Sequence, residues 1–175
     1  RQGEAVALLG RNGVGKNTTI NSIIGFTPPR RGQVILRNSE VTGLPSYKIA
    51  RQGVGLVPQG RGIFPTLTVQ ENITLAARNA ENGGWTMARV LEVFPPLAGR
   101  LNYRDGFRSE WEEIGRVVAD LKARGLSILL VEQNLNLALG VADRVYVMNK
   151  GQAVFEGTTA ELNAQEEIMH RFLGV

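Results

Sequence analysis

The chain has 175 residues, of which 43% are hydrophobic and 21% charged, a composition typical of a folded globular domain. It has no cysteine and a single histidine, His170, which excludes disulfides, thiolate metal sites and multi-histidine metal sites. The 20 basic and 16 acidic residues give a net charge of +4, a mild excess that suits anionic partners in general. No nucleic-acid-binding motif accompanies this charge, so we expect no nucleic-acid partner.

Short apolar runs alternate with segments of helical periodicity, a pattern that predicts an α/β fold. In the first part of the chain, predicted strands over 5–9, 33–37 and 53–57 alternate with predicted helices over 17–25 and 45–52. Three predicted helices follow, over 68–78, 87–94 and 114–125. The last part has a predicted strand over 127–131, a helix over 135–142, and a hairpin of 144–148 with 153–155. Thr68-Val-Gln-Glu71 and Thr158-Thr-Ala-Glu161 match the capping box, so each predicts the start of a helix.

The chemistry-bearing motif is the stretch 10–19, Gly-Arg-Asn-Gly-Val-Gly-Lys-Asn-Thr-Thr, which lies between the first predicted strand and helix. Gly-x-x-x-x-Gly-Lys in that context predicts a P-loop, whose backbone N–H groups surround a phosphate with help from the helix N-terminus. Lys16 would place its charge on the β- and γ-phosphates. The predicted nucleotide-binding residues are Gly10, Asn12, Gly13, Val14, Gly15, Lys16, Asn17 and Thr18.

The residue after the P-loop lysine is Asn17, where the motif has a serine or threonine whose hydroxyl binds Mg²⁺. An amide oxygen can also bind Mg²⁺, but it lies farther from the backbone. Thr18 and Thr19 point elsewhere, because successive residues of a helix are rotated by about 100°. The motif therefore predicts phosphate binding and leaves the metal geometry open.

The whole chain resembles the ATP-binding subunits of ABC transporters, and is most similar to those of branched-chain amino-acid and urea importers. The resemblance is carried by residues 9–19, 54–72, 129–134 and 142–151. It implies a P-loop NTPase sandwich with a mostly parallel core sheet, flanking helices, a small β subdomain and a reduced helical subdomain. It also implies ATP and Mg²⁺ as cofactors.

The resemblance assigns roles to two glutamines and leaves one further candidate for catalysis. Gln59 takes the place of the family's glutamine that contacts Mg²⁺, so Asn17 and Gln59 are the implied metal ligands. Gln133 takes the place of the family's switch histidine. Glu132 is the acid that directly follows an apolar strand, which makes it the candidate for a substitute general base.

Two family motifs have no counterpart in this sequence. The Leu-Ser-Gly-Gly-Gln signature is absent, and so is the Walker B strand that ends in Asp-Glu. Both belong where residues 105–113 read Asp-Gly-Phe-Arg-Ser-Glu-Trp-Glu-Glu, so we predict one nucleotide-binding domain over 1–175 with a deletion there. The chain begins at Arg1 without methionine, and we expect the natural N-terminus upstream, where the family's adenine-stacking aromatic would lie.

The resemblance implies a subunit that couples ATP binding and hydrolysis to import of branched-chain amino acids. Implied partners are transmembrane permease subunits and a second ATP-binding subunit in a homo- or heterodimer, at the cytoplasmic face of the membrane. Because the catalytic carboxylates are missing, we expect weak or no ATPase activity from this chain alone. The alternative is a non-hydrolysing P-loop remnant that binds nucleotide or a partner protein. A GTPase is excluded because Asn149-Lys-Gly-Gln152 lacks the guanine-reading aspartate.

Overall fold

The computed structural model of the chain describes residues 2–57, 64–77, 85–104 and 111–174. The chain divides into two compact units, the first formed by residues 1–56 with 125–175 and the second by residues 57–124. The prediction of one nucleotide-binding domain over 1–175 stays a prediction.

The first unit is built on a four-stranded sheet of β1 (Ala5–Leu9), β4 (Ile128–Val131), β5 (Arg144–Asn149) and β6 (Gln152–Thr158). The order of the strands in the sheet is β4-β1-β5-β6. β1 runs parallel to both β4 and β5, while β5 and β6 form the predicted antiparallel hairpin. A central strand between two parallel neighbours is covered on both faces, which explains why β1 is a continuous apolar run. The mostly parallel α/β sheet is therefore confirmed.

Helices pack on this sheet and close its core. The first unit contains α1 (Lys16–Ile23), α2 (Ser46–Arg51), α6 (Leu135–Val141), α7 (Thr159–Asn163) and α8 (Glu166–Ile168), and α8 continues into a π-helical turn over Met169–Leu173. The fully buried core joins strand and helix residues: Ala7, Leu9, Ala138, Val145, Val147 and Leu162. Phe172 and Leu173 of the C-terminal turn pack against this core, so the end of the described chain belongs to the sheet unit.

The predicted capping box at the start of α7 is formed in full. The Thr158 hydroxyl accepts the Glu161 N–H at 3.2 Å, and the Glu161 carboxylate accepts the Thr158 N–H at 2.6 Å. These contacts from Thr158 lower the pKa of the Glu161 carboxyl from its ordinary 4.5. A depressed carboxyl pKa contributes stability above the ordinary pKa, and that contribution is lost as the pH falls through the lowered value.

Replacing Thr158 by alanine is expected to lower the free energy of unfolding by about 1 kcal/mol, because the cap holds the helix that buries Leu162. Urea unfolding at neutral pH measures this difference. Thr159→Ala is the matched control, since Thr159 is the first residue inside α7 and the cap is made by Thr158. Equal losses in the two variants would contradict the assignment of the cap.

Two predicted strands differ from the structure. The strand predicted over 33–37 is reduced to β2 (Ile35–Leu36), which pairs antiparallel with β3 (Ser39–Glu40). The strand predicted over 53–57 is wrong, because these residues form no strand and the Val57 side chain is 94% exposed. A strand needs a neighbour to receive its backbone hydrogen bonds. Residues 54–57 accordingly do not pair with 128–131, which pair with β1.

The second unit is helical over its described residues. It contains α3 (Val69–Ala76), α4 (Met87–Val93), a 3₁₀ segment (Pro95–Arg100) and α5 (Trp111–Ala123). The predicted capping box at Thr68 is formed, since its hydroxyl accepts the Glu71 N–H at 3.2 Å and its own N–H reaches the Glu71 carboxylate at 2.7 Å. Over the described parts of the whole chain, every helix is too short or too polar to cross a membrane.

Candidate nucleotide-binding site

The P-loop turns sharply between β1 and α1, and its backbone requires glycine. Gly10 has φ 143° and Gly13 has φ 79°, a region that L side chains rarely adopt. At Gly10 a Cβ atom would also lie 2.6 Å from the Met148 carbonyl oxygen, on the neighbouring strand β5. The loop can therefore pass this close to β5 only because residue 10 has no side chain.

Two contacts fix the far side of the loop. The Gly151 N–H, in the turn between β5 and β6, donates to the Val14 carbonyl at 2.8 Å. The Thr19 hydroxyl donates to the Gly15 carbonyl at 3.1 Å, within the first turn of α1. The hairpin was predicted from the sequence, but its role as a support for the P-loop was not, because the contact joins residues far apart in the chain.

Lys16 lies inside the loop, with its side chain almost fully buried. Its ammonium donates to the Gly10 carbonyl at 2.5 Å and to the Arg11 carbonyl at 2.9 Å. Burial lowers the pKa of this ammonium, and the nearby negative charge of Glu132 opposes that change. The Lys16 ammonium is thus held by two carbonyl oxygens of the loop. A phosphate oxygen can replace one of these carbonyl oxygens as its hydrogen-bond acceptor.

The N-terminus of α1 is open to a ligand. Its N-cap is Gly15, at φ 105°, which has no side chain to accept the first N–H groups of the helix. Asn17 and Thr18, the second and third residues of α1, are exposed at this end. Unsatisfied N–H groups and the helix dipole together favour an anion here.

The sheet register brings the second set of predicted residues to the loop. Leu8 is paired with Val131, so the residues that follow β1 and β4 leave the sheet side by side. A cleft of about 400 Å³ opens between them. Its walls are Leu9, Gly10, Arg11, Asn12, Glu132, Gln133, Leu135 and Leu173. Leu173 was missed by sequence reasoning because an apolar residue in a C-terminal helix carries no signal of a distant site.

Glu132 and Gln133 differ in how they are held. One Glu132 carboxylate oxygen accepts the Gln133 N–H at 2.9 Å and the Asn134 N–H at 3.1 Å, at the start of α6. The Gln133 side chain is exposed at the cleft. Glu132 therefore supplies a fixed negative charge near Lys16, while the Gln133 amide faces the cleft at which it is predicted to act.

Donors for a magnesium ion are few among the described residues. In that part of the chain no three His, Cys, Asp or Glu side chains come together as a metal site. Asn17 lies at the loop, whereas Gln59, the other implied metal ligand, lies outside the described residues. Mg²⁺ demands near-octahedral geometry at about 2.0–2.1 Å, and usually binds through carboxylates, phosphates and water. Among the described residues the loop offers Mg²⁺ amide side chains and no cluster of carboxylates, which is a poor set of donors for this ion. The assignments of Asn17 and Gln59 as ligands stay predictions.

The sequence model of the ABC transporter family matches residues 1–149, which is most of the chain. The chain belongs to the ABC transporter family. Members of this family bind ATP or ADP, generally with Mg²⁺. The sequence-based resemblance is therefore confirmed at the level of the family.

Two relatives of this chain are named as ATP-binding proteins of branched-chain amino acid transport. The chain is 32% identical to the high-affinity branched-chain amino acid transport ATP-binding protein BraG of Pseudomonas aeruginosa, over 99% of this chain and 89% of that protein. It is 29% identical to a probable branched-chain amino acid transport ATP-binding protein, LivF, of Archaeoglobus fulgidus, over 100% of this chain and 89% of that protein. The alignment with the Pseudomonas protein spans 208 residues, so that relative contains residues for which this 175-residue chain has no counterpart.

Solved structures support the fold. An ATP-binding cassette of an ABC transporter in its ADP conformation superposes with a TM-score of 0.74 at 22% identity, covering 94% of this chain and 84% of that one. A nucleotide-free ATP-binding cassette gives a TM-score of 0.72 at 21% identity, covering 95% and 85%. The ABC-ATPase fold class predicted from the sequence is thus confirmed.

Proposed function

We propose that this chain is the ATP-binding subunit of an importer of branched-chain amino acids. The observation that carries the proposal is the P-loop, with Lys16 buried among loop carbonyls and the N-terminus of α1 open beside it. The proposed nucleotide-binding residues are those predicted from the sequence: Gly10, Asn12, Gly13, Val14, Gly15, Lys16, Asn17 and Thr18. The names of the relatives supply the class of transported substrate.

The proposed assembly places the chain against other subunits. Its partners are the transmembrane permease subunits of the importer and a second ATP-binding subunit, in a homo- or heterodimer at the cytoplasmic face of the membrane. Uptake of radiolabelled leucine by proteoliposomes tests this assignment. Proteoliposomes that hold the permeases of such an importer and one other ATP-binding subunit are expected to take up leucine only when this chain is added. Uptake at the same rate without the chain would contradict the proposal.

Hydrolysis by the isolated chain is proposed to be weak, for a physical reason. Phosphoryl transfer needs a positioned metal and a positioned nucleophile. In the cleft the candidate groups are Gln133, which bears no charge, and Glu132, whose carboxylate already accepts two backbone N–H groups. Glu132 is therefore better placed to fix the start of α6 than to take a proton from water.

Phosphate release from ATP by the isolated chain is expected to stay at the background rate. Glu132→Gln is expected to leave that rate unchanged, and Glu156→Gln, on an exposed part of β6, is the matched control. A phosphate-release assay with purified chain and excess Mg²⁺ measures the effect. Steady turnover that is lost in Glu132→Gln and kept in Glu156→Gln would show that Glu132 acts as the general base.

A further inference from the structure

Asn17 occupies the one P-loop position at which this sequence departs from the motif, and the structure places it at the open end of α1. It is the second residue of the helix, and its side chain is exposed. The neighbouring N–H groups of the first helical turn have no partner within the helix. A phosphate bound by these groups would lie at the end of the helix that carries the Asn17 side chain.

The side chain of asparagine differs from a hydroxyl in what it offers to that phosphate. Its amide nitrogen carries two hydrogens and can donate directly to a phosphate oxygen. A serine or threonine hydroxyl at this position instead serves as an oxygen ligand for Mg²⁺. With asparagine at residue 17, the side chain can contact the phosphate directly, whereas the hydroxyl of the motif contacts it through Mg²⁺.

Other oxygen donors near the loop are directed elsewhere. The Thr19 hydroxyl donates to the Gly15 carbonyl at 3.1 Å and lies 3.9 Å from the Met148 sulfur, so it faces β5 and not the loop opening. The Glu132 carboxylate is held by the Gln133 and Asn134 N–H groups. The Thr19 hydroxyl is therefore not free to replace the hydroxyl that residue 17 lacks, and one of the two Glu132 carboxylate oxygens is already engaged.

From this arrangement we infer that Asn17 donates its amide N–H to the nucleotide phosphate, and that the site binds ADP or ATP without Mg²⁺. The inference rests on the proposed function. The phosphate charge is met by Lys16, by the N-terminus of α1 and by the Asn17 amide. A magnesium ion on the phosphates would weaken these attractions, and at residue 17 it would meet an amide instead of the hydroxyl of the motif.

Calorimetric titration with ADP tests the inference, once in excess EDTA and once in excess Mg²⁺. The unmodified chain is expected to bind at least as tightly in EDTA as in Mg²⁺. Asn17→Asp removes the donor and adds a negative charge, so binding in EDTA is expected to weaken at least about tenfold. Mg²⁺ is expected to recover part of that loss, because a carboxylate is a good Mg²⁺ ligand. Asn17→Thr restores the hydroxyl and is expected to bind more tightly in Mg²⁺ than in EDTA.

Asn21→Asp is the matched control, because it adds the same charge to the same helix about 6 Å farther from the loop. It is expected to show no advantage of Mg²⁺ over EDTA, and thermal unfolding confirms that each variant is folded. Tenfold tighter binding of ADP by the unmodified chain in Mg²⁺ than in EDTA would overturn the inference and leave the proposed function standing. Unchanged binding of Asn17→Asp in EDTA would also overturn it. Absence of ADP binding in both conditions would overturn the proposed function and the inference together.

Discussion

Replacing Lys16 by alanine is expected to weaken ADP binding at least about tenfold. The ammonium is buried in the loop and already makes two hydrogen bonds to carbonyl oxygens, so it is positioned before the nucleotide arrives. Charge-assisted hydrogen bonds contribute roughly 1.5–3 kcal/mol each, and about 1.4 kcal/mol corresponds to a factor of ten in affinity. Calorimetric titration of the variant measures the loss directly.

Lys48→Ala is the matched control for this prediction, since Lys48 is an exposed lysine in the last turn of α2. It removes the same charge from the chain without touching the loop. Thermal unfolding of both variants separates loss of binding from loss of fold, because Lys16→Ala also leaves the Gly10 and Arg11 carbonyls without their donor. Equal ADP affinity in Lys16→Ala and in the unmodified chain would show that the loop does not bind phosphate through this lysine.

We expect the isolated chain to self-associate through the edge of β4, and we expect Leu129→Lys to reduce this self-association strongly. Among the described residues β4 pairs with β1 alone, and Leu129 at its centre is 43% exposed. The family resemblance implies a second neighbour for this strand, the Walker B strand, which has no counterpart in this sequence. An apolar strand with an unpaired edge is a template for pairing with another chain, and a lysine on that strand opposes such pairing.

Size-exclusion chromatography with light scattering measures the change in mass distribution. Leu126→Lys is the control, because Leu126 is an exposed leucine that precedes β4 and lies off the ladder. Both variants add one positive charge, but only Leu129→Lys places it on the strand. A soluble monomer of the unmodified chain, unfolding in a sharp cooperative transition, would show that the account of the sheet is wrong.

The sequence predicts those elements whose signals are local. The apolar run of β1, the glycines before α1 and the capping boxes at Thr68 and Thr158 each specify their own conformation, and the structure contains all of them. The hairpin of β5 and β6 was predicted from two apolar runs separated by the turn residues Lys150 and Gly151, and in the structure both residues adopt positive φ angles. Such elements need no information from distant parts of the chain.

Elements that depend on distant partners were predicted less well. Residues 53–57 have the composition of a strand, yet they form none, because strand formation depends on a neighbour and not on apolar residues alone. In the site, the P-loop residues follow from one contiguous motif. The approach of Glu132 to Lys16 follows from the parallel register of β1 and β4, and the place of Leu173 in the cleft follows from the packing of the C-terminal turn. Neither has a sequence signal of its own.

The central claim is that this P-loop binds nucleotide although the chain lacks the family's catalytic carboxylates. Calorimetric titration of the 175-residue chain with ATP, with inorganic phosphate as the comparison ligand, tests it most directly. We expect a single ATP site per chain, much weaker binding of phosphate alone, and competition between ATP and ADP for the same site. Absence of any binding heat with ATP from a folded sample, or binding of phosphate and ATP with equal affinity, would contradict it.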